Sequence, residues 1–327
     1  MNLPSSFITT ILNTYRDDGK RWLAELPALI DEASRCWGLT DITPVENLSY
    51  NFVAYANRPS TVASSRSASA HGAVLKIGVP NPELISEMAA LRCFDGYGAV
   101  HLLESDPERG MCLLERLYPG EMLAALADDD QRTHIAADVM LRLWKPVPVG
   151  EPALRGLPFI KLSDWFAGLD GLRPHFGGGT GPFPQRILEM AEALILELFA
   201  ASSPPLLIHG DLHHFNILSS GRGWLAIDPK GVVGPPEYEV GPLLINPIPD
   251  FLRGEAAVRQ AARRIAILSE RLGFAPQRIR DWAICHAILS AWWDIEDSGE
   301  GSEYALACAE MFSQVRVLSW QESKIRC

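Results

Sequence analysis

The chain has few cysteines, and none is arranged to hold a metal. Six occur in 327 residues (Cys36, Cys93, Cys112, Cys285, Cys308 and Cys327), without a C-x-x-C or finger-like spacing. Cys93 and Cys112 stand inside the apolar strings RCF and MCLL. This excludes a disulfide scaffold and a zinc finger, and fits reduced, mostly buried thiols. No run reaches the ~18 uncharged apolar residues of a membrane-spanning helix. The opening MNLPSSFITTILNTYRDD has no basic flank before its short apolar run, so a soluble cytoplasmic protein without membrane attachment is expected. Positive charge is also short: 29 Lys plus Arg face 40 Asp plus Glu, a formal charge of -11. An acidic chain disfavours a nucleic-acid partner and attracts cationic small molecules. Hydrophobic residues make up 47%, ample for a sizeable core.

Periodicity supplies the outline. Phe7, Ile11, Leu12 and Tyr15, then Leu23, Leu26, Leu29 and Ile30, give a helical leader over 5–36, with breaks expected near Asp17 to Lys20 and at Pro27. DITPVENLSYNFVAYA (41–56) and AVLKIGV (73–79) read as strand-like, joined by the Ser-rich NRPSTVASSRSASAHG (57–72) as a long mobile hairpin loop. ELISEMAALRCF (83–94) sets Leu84, Met88 and Leu91 on one helical face, with Glu87 at its edge. AVHLL (99–103) and MCLLERL (111–117) follow as strands, so the expected order is strand, strand, helix, strand, strand. After YPG (118–120), helices are expected at 130–145, 156–170, 184–200, 254–272, 276–297 and 302–319, interrupted by a hairpin at 206–228. The fold class is therefore α+β. A small sheet lobe with one core helix and the leader (1–117) precedes a larger, mainly helical lobe (118–327).

The chemistry concentrates in HGDLHHFNIL (209–218), where three histidines, an aspartate and an asparagine stand between the apolar runs LLI and WLAID. Such a density of polar groups between strand-like segments is not a folding requirement, because each must be hydrated or paired. H-G-D-L-H-H-F-N fits the kinase catalytic-loop pattern H-x-D-x-x-x-x-N, and I-D-P, ending the next strand at Asp228, stands where a kinase has D-F-G. In phosphoryl transfer one carboxylate takes the acceptor hydroxyl's proton, while an amide oxygen and a second carboxylate hold magnesium against the phosphates. Lys76 ends V-L-K in an apolar strand and Glu87 follows eleven residues later, a pair that would present an ammonium to the α and β phosphates. His209 directly follows a buried strand and reads as structural. Two rivals stay open at this point: a metal-dependent hydrolase built on HGDLHH, and an inactive kinase fold used as a binding module.

The sequence over roughly 40–320 resembles the bacterial aminoglycoside phosphotransferases of protein-kinase-like fold, most closely the streptomycin 6-phosphotransferase and hydroxyurea-resistance kinase group. The resemblance is densest in HGDLHHFNILSSGRGWLAIDPKGVVG (209–234). It implies a bilobal kinase fold, with ATP clamped at the interlobe hinge by the backbone of Glu115 to Leu117. It further implies Asp211 as the base, Asn216 and Asp228 as magnesium ligands, and Lys76 with Glu87 as the phosphate-binding pair. One departure stands out: ENLSYNFVAY has no glycine-rich G-x-G-x-x-G loop, and Ser49 to Phe52 are expected to cover the phosphates instead.

The expected acceptor is a small cationic molecule, a streptomycin-like aminoglycoside, with a kinase of another small hydroxyl metabolite as the alternative; a monomer or weak dimer is expected. AWWDIEDSGEGSEY (291–304) gathers Asp294, Glu296, Asp297, Glu300 and Glu303 behind Trp292 and Trp293 at a helix C-terminus, where the macrodipole disfavours anions. These acids are candidates for pairing with guanidinium or ammonium groups, with a tryptophan adding a cation-π face. Glu237 and Glu239, in the proline-punctuated GPPEYEVG, are a second candidate set.

Overall fold

A computed structural model of the chain describes residues 3–59, 71–147, 159–247, 254–299 and 303–316. Most of the expected loop at 57–72, as well as Glu300 and Cys327, lies outside the described residues.

The leader forms α1 (Ser5–Trp37), broken once at Arg16, whose φ of 52° and ψ of -124° are not helical. The break falls one residue before the expected stretch, and Pro27 sits inside the helix without a second one. Gly19 allows the two arms to meet: a Cβ there would stand 2.6 Å from the Ile11 carbonyl oxygen. Phe7 meets Trp22 edge-on across the bend, with ring centroids 6.2 Å apart. Both rings, with Ile11 and Leu26, join Phe52, Ala54, Leu75, Ile77 and Leu113 in one buried cluster, so the leader is part of the first lobe's core.

That lobe's sheet has five strands, β1 (Thr40–Pro44), β2 (Phe52–Arg58), β3 (His71–Ile77), β4 (Leu102–Asp106) and β5 (Met111–Glu115), in the order β1-β2-β3-β5-β4. All pairs are antiparallel. The 41–56 stretch thus contains two strands where one was expected, because the segment VENLSYN (45–51), rich in turn-forming polar residues, turns the chain between them. α2 (Pro82–Phe94) crosses between β3 and β4. Asn81 caps it by accepting from the Leu84 N–H at 3.0 Å, and Pro82 occupies a first-turn position where a missing N–H costs nothing. Leu84, Met88 and Leu91 are buried as expected, and Ser86, Glu87, Ala89 and Ala90 are buried too.

The chain leaves this sheet after β5. Its next strand, β6 (Pro119–Met122), pairs with β10 (Ile217–Ser220), which also pairs with β11 (Gly223–Ala226). A separate sheet holds β7 (Lys145–Pro146), β8 (Ile160–Lys161), β9 (Leu206–Ile208) and β12 (Val232–Gly234) in the order β7-β9-β12-β8. The expected 206–228 hairpin is therefore not formed. β9 pairs with β7 and β12 rather than with β11, and the polar loop 209–216 runs from one sheet to the other. Around these sheets lie α3 (Asp129–Leu143), α4 (Leu162–Ala167), α5 (Leu172–His175), α6 (Gln185–Ala200), α7 (Val240–Leu244), α8 (Glu255–Leu272), α9 (Pro276–Ser298) and α10 (Glu303–Gln314). The core of this lobe is built on α9, whose Ile279, Trp282, Cys285, Ile288 and Leu289 are fully buried. Among the described residues, no helix is long and apolar enough to cross a membrane.

Candidate active site

The loop after β9 is held from below by a buried carboxylate. Glu239 is fully buried and accepts the backbone N–H of His209 at 2.7 Å and of Gly210 at 2.8 Å. Burial raises its carboxyl to about 7 against the pull of these two donors. Above it, His209 Nδ1 accepts the Asp211 N–H at 3.2 Å, so the ring proton is on Nε2, which donates to the Ile227 carbonyl at 2.8 Å. Burial pushes this imidazole down to about 3, keeping it neutral. His209 is structural, tying the loop to the segment that carries Asp228.

The Asp211 backbone is fixed at both ends, since its carbonyl accepts Asn216 Nδ2 at 3.0 Å. Its carboxylate is left to the cleft, with His213 Nε2 3.8 Å away. Burial pushes its proton affinity above that of an ordinary aspartate, the direction a proton acceptor needs. Because the Asn216 amide nitrogen is spent on that carbonyl, its Oδ1 remains as an oxygen donor. Asp228 follows in a left-handed conformation (φ 59°), uncommon for a residue other than glycine and characteristic of functional turns.

Lys76 and Glu87 meet as the spacing implies. Both Glu87 oxygens lie 2.7 Å from the Lys76 ammonium, and both residues are buried. The ammonium also bonds Asp228. Burial opposes its charge, but Asp228 and Glu87 outweigh it and hold Lys76 above the ordinary lysine value; Lys76 in turn pulls Asp228 below the ordinary carboxylate range. The five groups of the sequence pattern therefore converge at one place. The Asn216 Oδ1 and the Asp228 carboxylate are hard oxygen groups of the kind that would suit a cation keeping water or phosphate oxygens in its other positions. Zinc is poorly served: both His209 nitrogens are bonded, and His214 is fully buried beside Arg264 and Arg132.

Asp211 and Asp228 open into a cleft of about 560 Å³. Ser49, Tyr50 and Asn51 line it, whereas Phe52 turns into the core. At the expected hinge the Glu115 carboxylate accepts the His101 N–H at 3.0 Å and pairs with Arg222, and Leu117 packs against the larger core.

The acceptor candidates divide. Glu237 and Glu239 do not face the cleft. Glu237 is buried, accepts Ser203 Oγ at 2.7 Å and pairs with Arg278 at 3.4 Å; Glu239 brackets the loop. Trp292 is core, with its ring edge-on to His175 at 5.5 Å. Asp294, Glu296 and Glu303 are exposed and do not line the cleft. The residues of α9 that do are His286, Ser290, Trp293 and Asp297, spaced four, three and four apart along one helical face. Trp292 is only one residue from Trp293, but that step turns it by about 100° and into the core. Trp293 stands at 82° to Trp165 with centroids 5.1 Å apart, forming an aromatic corner. His286 Nδ1 and the Tyr238 hydroxyl share a hydrogen bond of 2.9 Å, which fixes the ring on the cleft wall. Residues outside the sequence motifs also line it, among them Thr14, Tyr15, Glu83, Trp165, Lys230 and Asn246. Lys230 had a signal, two positions after Asp228; Tyr15 had none.

A family model described as aminoglycoside/hydroxyurea antibiotic resistance kinase matches residues 48–298. The chain belongs to this kinase family. Streptomycin 6-kinase of Streptomyces glaucescens is 31% identical over 300 residues, covering 91% of this chain and 92% of the relative. Hydroxyurea phosphotransferase of Kitasatospora aureofaciens is 32% identical over 301 residues, covering 91% and 81%. Solved structures share the fold at low identity. A thermostable mutant of aminoglycoside phosphotransferase APH(4)-Ia, in complex with ADP and hygromycin B, matches with a TM-score of 0.57 at 15% identity, covering 88% of this kinase and 99% of that chain. A choline kinase from Streptococcus pneumoniae matches with 0.56 at 11% identity, covering 89% and 98%. The kinase is thus bilobal and protein-kinase-like, as the resemblance implied, and belongs to a family of phosphotransferases.

Proposed function

We propose that this kinase transfers the γ-phosphoryl group of magnesium ATP to a hydroxyl of a streptomycin-like, guanidinium-bearing aminocyclitol. We read it as a cytoplasmic monomer or weak dimer, its lobes dividing at residues 117 and 118. The observation that carries the reading is the convergence of Asp211, Asn216, Asp228, Lys76 and Glu87 at one cleft. Asp211 receives the acceptor's proton as the hydroxyl oxygen attacks phosphorus, and its fixed backbone holds the carboxylate in place for that step. Asn216 Oδ1 and Asp228 would hold magnesium, which neutralises phosphate charge when bound. Lys76, steadied by Glu87, faces the α and β phosphates, while the Glu115 to Leu117 backbone holds the base and Ser49 covers the phosphates.

The acceptor class rests on the cleft's C-terminal side together with the streptomycin kinases among the relatives. Trp165 and Trp293 offer faces for a cation, and Asp297 a carboxylate for a planar guanidinium. ADP release assayed with streptomycin, hydroxyurea, choline and a neutral sugar tests this. Turnover with streptomycin, and streptomycin resistance in a susceptible host, are expected. Turnover with choline or the sugar but not streptomycin would overturn the acceptor and leave the kinase. Absence of magnesium-dependent nucleotide binding would overturn the ATP reading itself.

A further inference from the structure

We infer that the transferred phosphoryl group is received by a second cradle outside the loop motif, made of Lys230 and the leader's Tyr15. The inference rests on the ATP reading above. Lys76 is bonded to both oxygens of Glu87 and to Asp228 and is assigned to the α and β phosphates, so it is not free to follow the γ group. Phosphoryl transfer spreads negative charge over three equatorial oxygens, and the cleft walls already carry Asp211, Asp228, Glu83 and Glu87. Lys230 is the only lysine or arginine among the described residues lining the cleft.

Its backbone is unusually well fixed. The Lys230 N–H donates to the His209 carbonyl at 2.8 Å, and the next carbonyl, of Gly231, accepts Ser86 Oγ from α2 at 2.8 Å. Gly231 has φ 67°, and a Cβ there would stand 2.6 Å from the Ser86 carbonyl oxygen, so only glycine lets this turn press against α2. Among the described residues this rigidly mounted lysine makes one ion pair, a long one of 3.6 Å to the half-exposed Glu83. Glu83 is a resting partner that an incoming phosphate can replace, because a phosphate oxygen brings more charge and shorter, charge-assisted bonds.

Tyr15 reaches the same wall from the leader. The Asn81 side chain has its oxygen occupied by the Leu84 N–H, and its amide nitrogen donates to the Val79 carbonyl at 2.9 Å and to the Tyr15 hydroxyl at 3.3 Å. The phenol oxygen is therefore the acceptor in that bond, and its own hydrogen remains to donate into the cleft. The non-helical Arg16 directly after it makes the corner that puts Thr14 and Tyr15 on the lining. In the reaction, the acceptor oxygen bonds to γ-phosphorus and its proton passes to Asp211. The bond to the β-γ bridging oxygen breaks with its electron pair leaving on ADP, while Lys230 and Tyr15 donate to the equatorial oxygens throughout.

The test compares two nucleotides by isothermal titration, magnesium ADP and magnesium AMP-PNP, which differ in the γ group, with kcat read in parallel. Lys230→Met should weaken AMP-PNP about 10-fold or more and leave ADP within about 3-fold, while lowering kcat by roughly 100-fold. Lys230→Arg should recover most of the AMP-PNP affinity. Tyr15→Phe should show the same selectivity at about 3- to 10-fold. Retained ADP binding reports that each variant is folded. If Lys230→Met weakened both nucleotides alike, or neither, the cradle would be overturned while the kinase reading stood. If wild type bound neither nucleotide, the ATP reading would fall and the cradle with it.

Discussion

Glu239→Gln alters one atom in the bracket beneath the loop. In the wild type both carboxylate oxygens accept, from His209 at 2.7 Å and Gly210 at 2.8 Å. A glutamine has one oxygen; its NH₂ would face the other N–H, donor against donor, in a fully buried place. For the ionised carboxylate, losing one buried charge-assisted bond costs about 2 kcal/mol, which in a chain of this size lowers Tm by roughly 3 °C. The larger effect is on position. Asp211 hangs from this loop through His209 Nδ1, and a shift of about 1 Å in a reacting group costs on the order of 100-fold in rate. Expected results are therefore a modest fall in Tm, a fall in kcat of about 10- to 100-fold, and little change in magnesium ADP affinity. The pH dependence has a defined sign. Burial raises the Glu239 carboxyl to about 7 from 4.5, so the folded state binds this proton more tightly than the unfolded chain does. The wild type's stability margin over the variant is full below pH about 4.5 and shrinks as pH rises towards 7. Differential scanning fluorimetry across pH and steady-state kinetics decide the matter. Unchanged Tm and kcat, or a rise in acceptor KM alone, would refute the bracket and return Glu239 to the acceptor.

Asp211→Asn should leave magnesium-nucleotide affinity nearly unchanged and lower kcat by on the order of 100-fold or more, whereas Asp228→Ala should weaken both binding and turnover; calorimetry with kinetics separates them. Trp293→Ala and Asp297→Asn should raise the acceptor KM selectively, while Trp292→Ala should cost about 3–5 kcal/mol of stability, measured by denaturant unfolding, because its ring is core. Raising ionic strength should raise the KM of a cationic acceptor more than that of ATP, and equal shifts would speak against the charged acceptor side.

What could be read in advance follows the range of the interactions. Lys76 with Glu87, and Asp211 with Asn216 and Asp228, are each close in sequence and legible as local patterns, whereas the meeting of the two sets, 152 residues apart, was implied by the family resemblance and not by spacing. Glu237 and Glu239 misled because a charged residue in a proline-rich loop is normally exposed, and only the partners, Arg278 and two backbone N–H groups, explain their burial. The α9 lining was half visible. Its tryptophans were noticed, but the stripe His286, Ser290, Trp293, Asp297 becomes legible only once the helix's orientation is known. The pairing of β9 with β12 and Tyr15's place on the cleft depend on contacts far apart in sequence, which periodicity does not encode.

The leader also decides where this protein can be cut. The family model begins at residue 48, yet Phe7, Ile11, Trp22 and Leu26 fill the underside of the five-stranded sheet. At ~1.5–3 kcal/mol each, these four side chains contribute roughly 6–12 kcal/mol, as much as the whole net stability of many domains. A fragment trimmed to the family boundaries would bare an apolar sheet face and aggregate. Split between Trp37 and Thr40, the two pieces should instead reassemble, because the short N-terminal piece carries a ready-made apolar surface and its partner the matching groove.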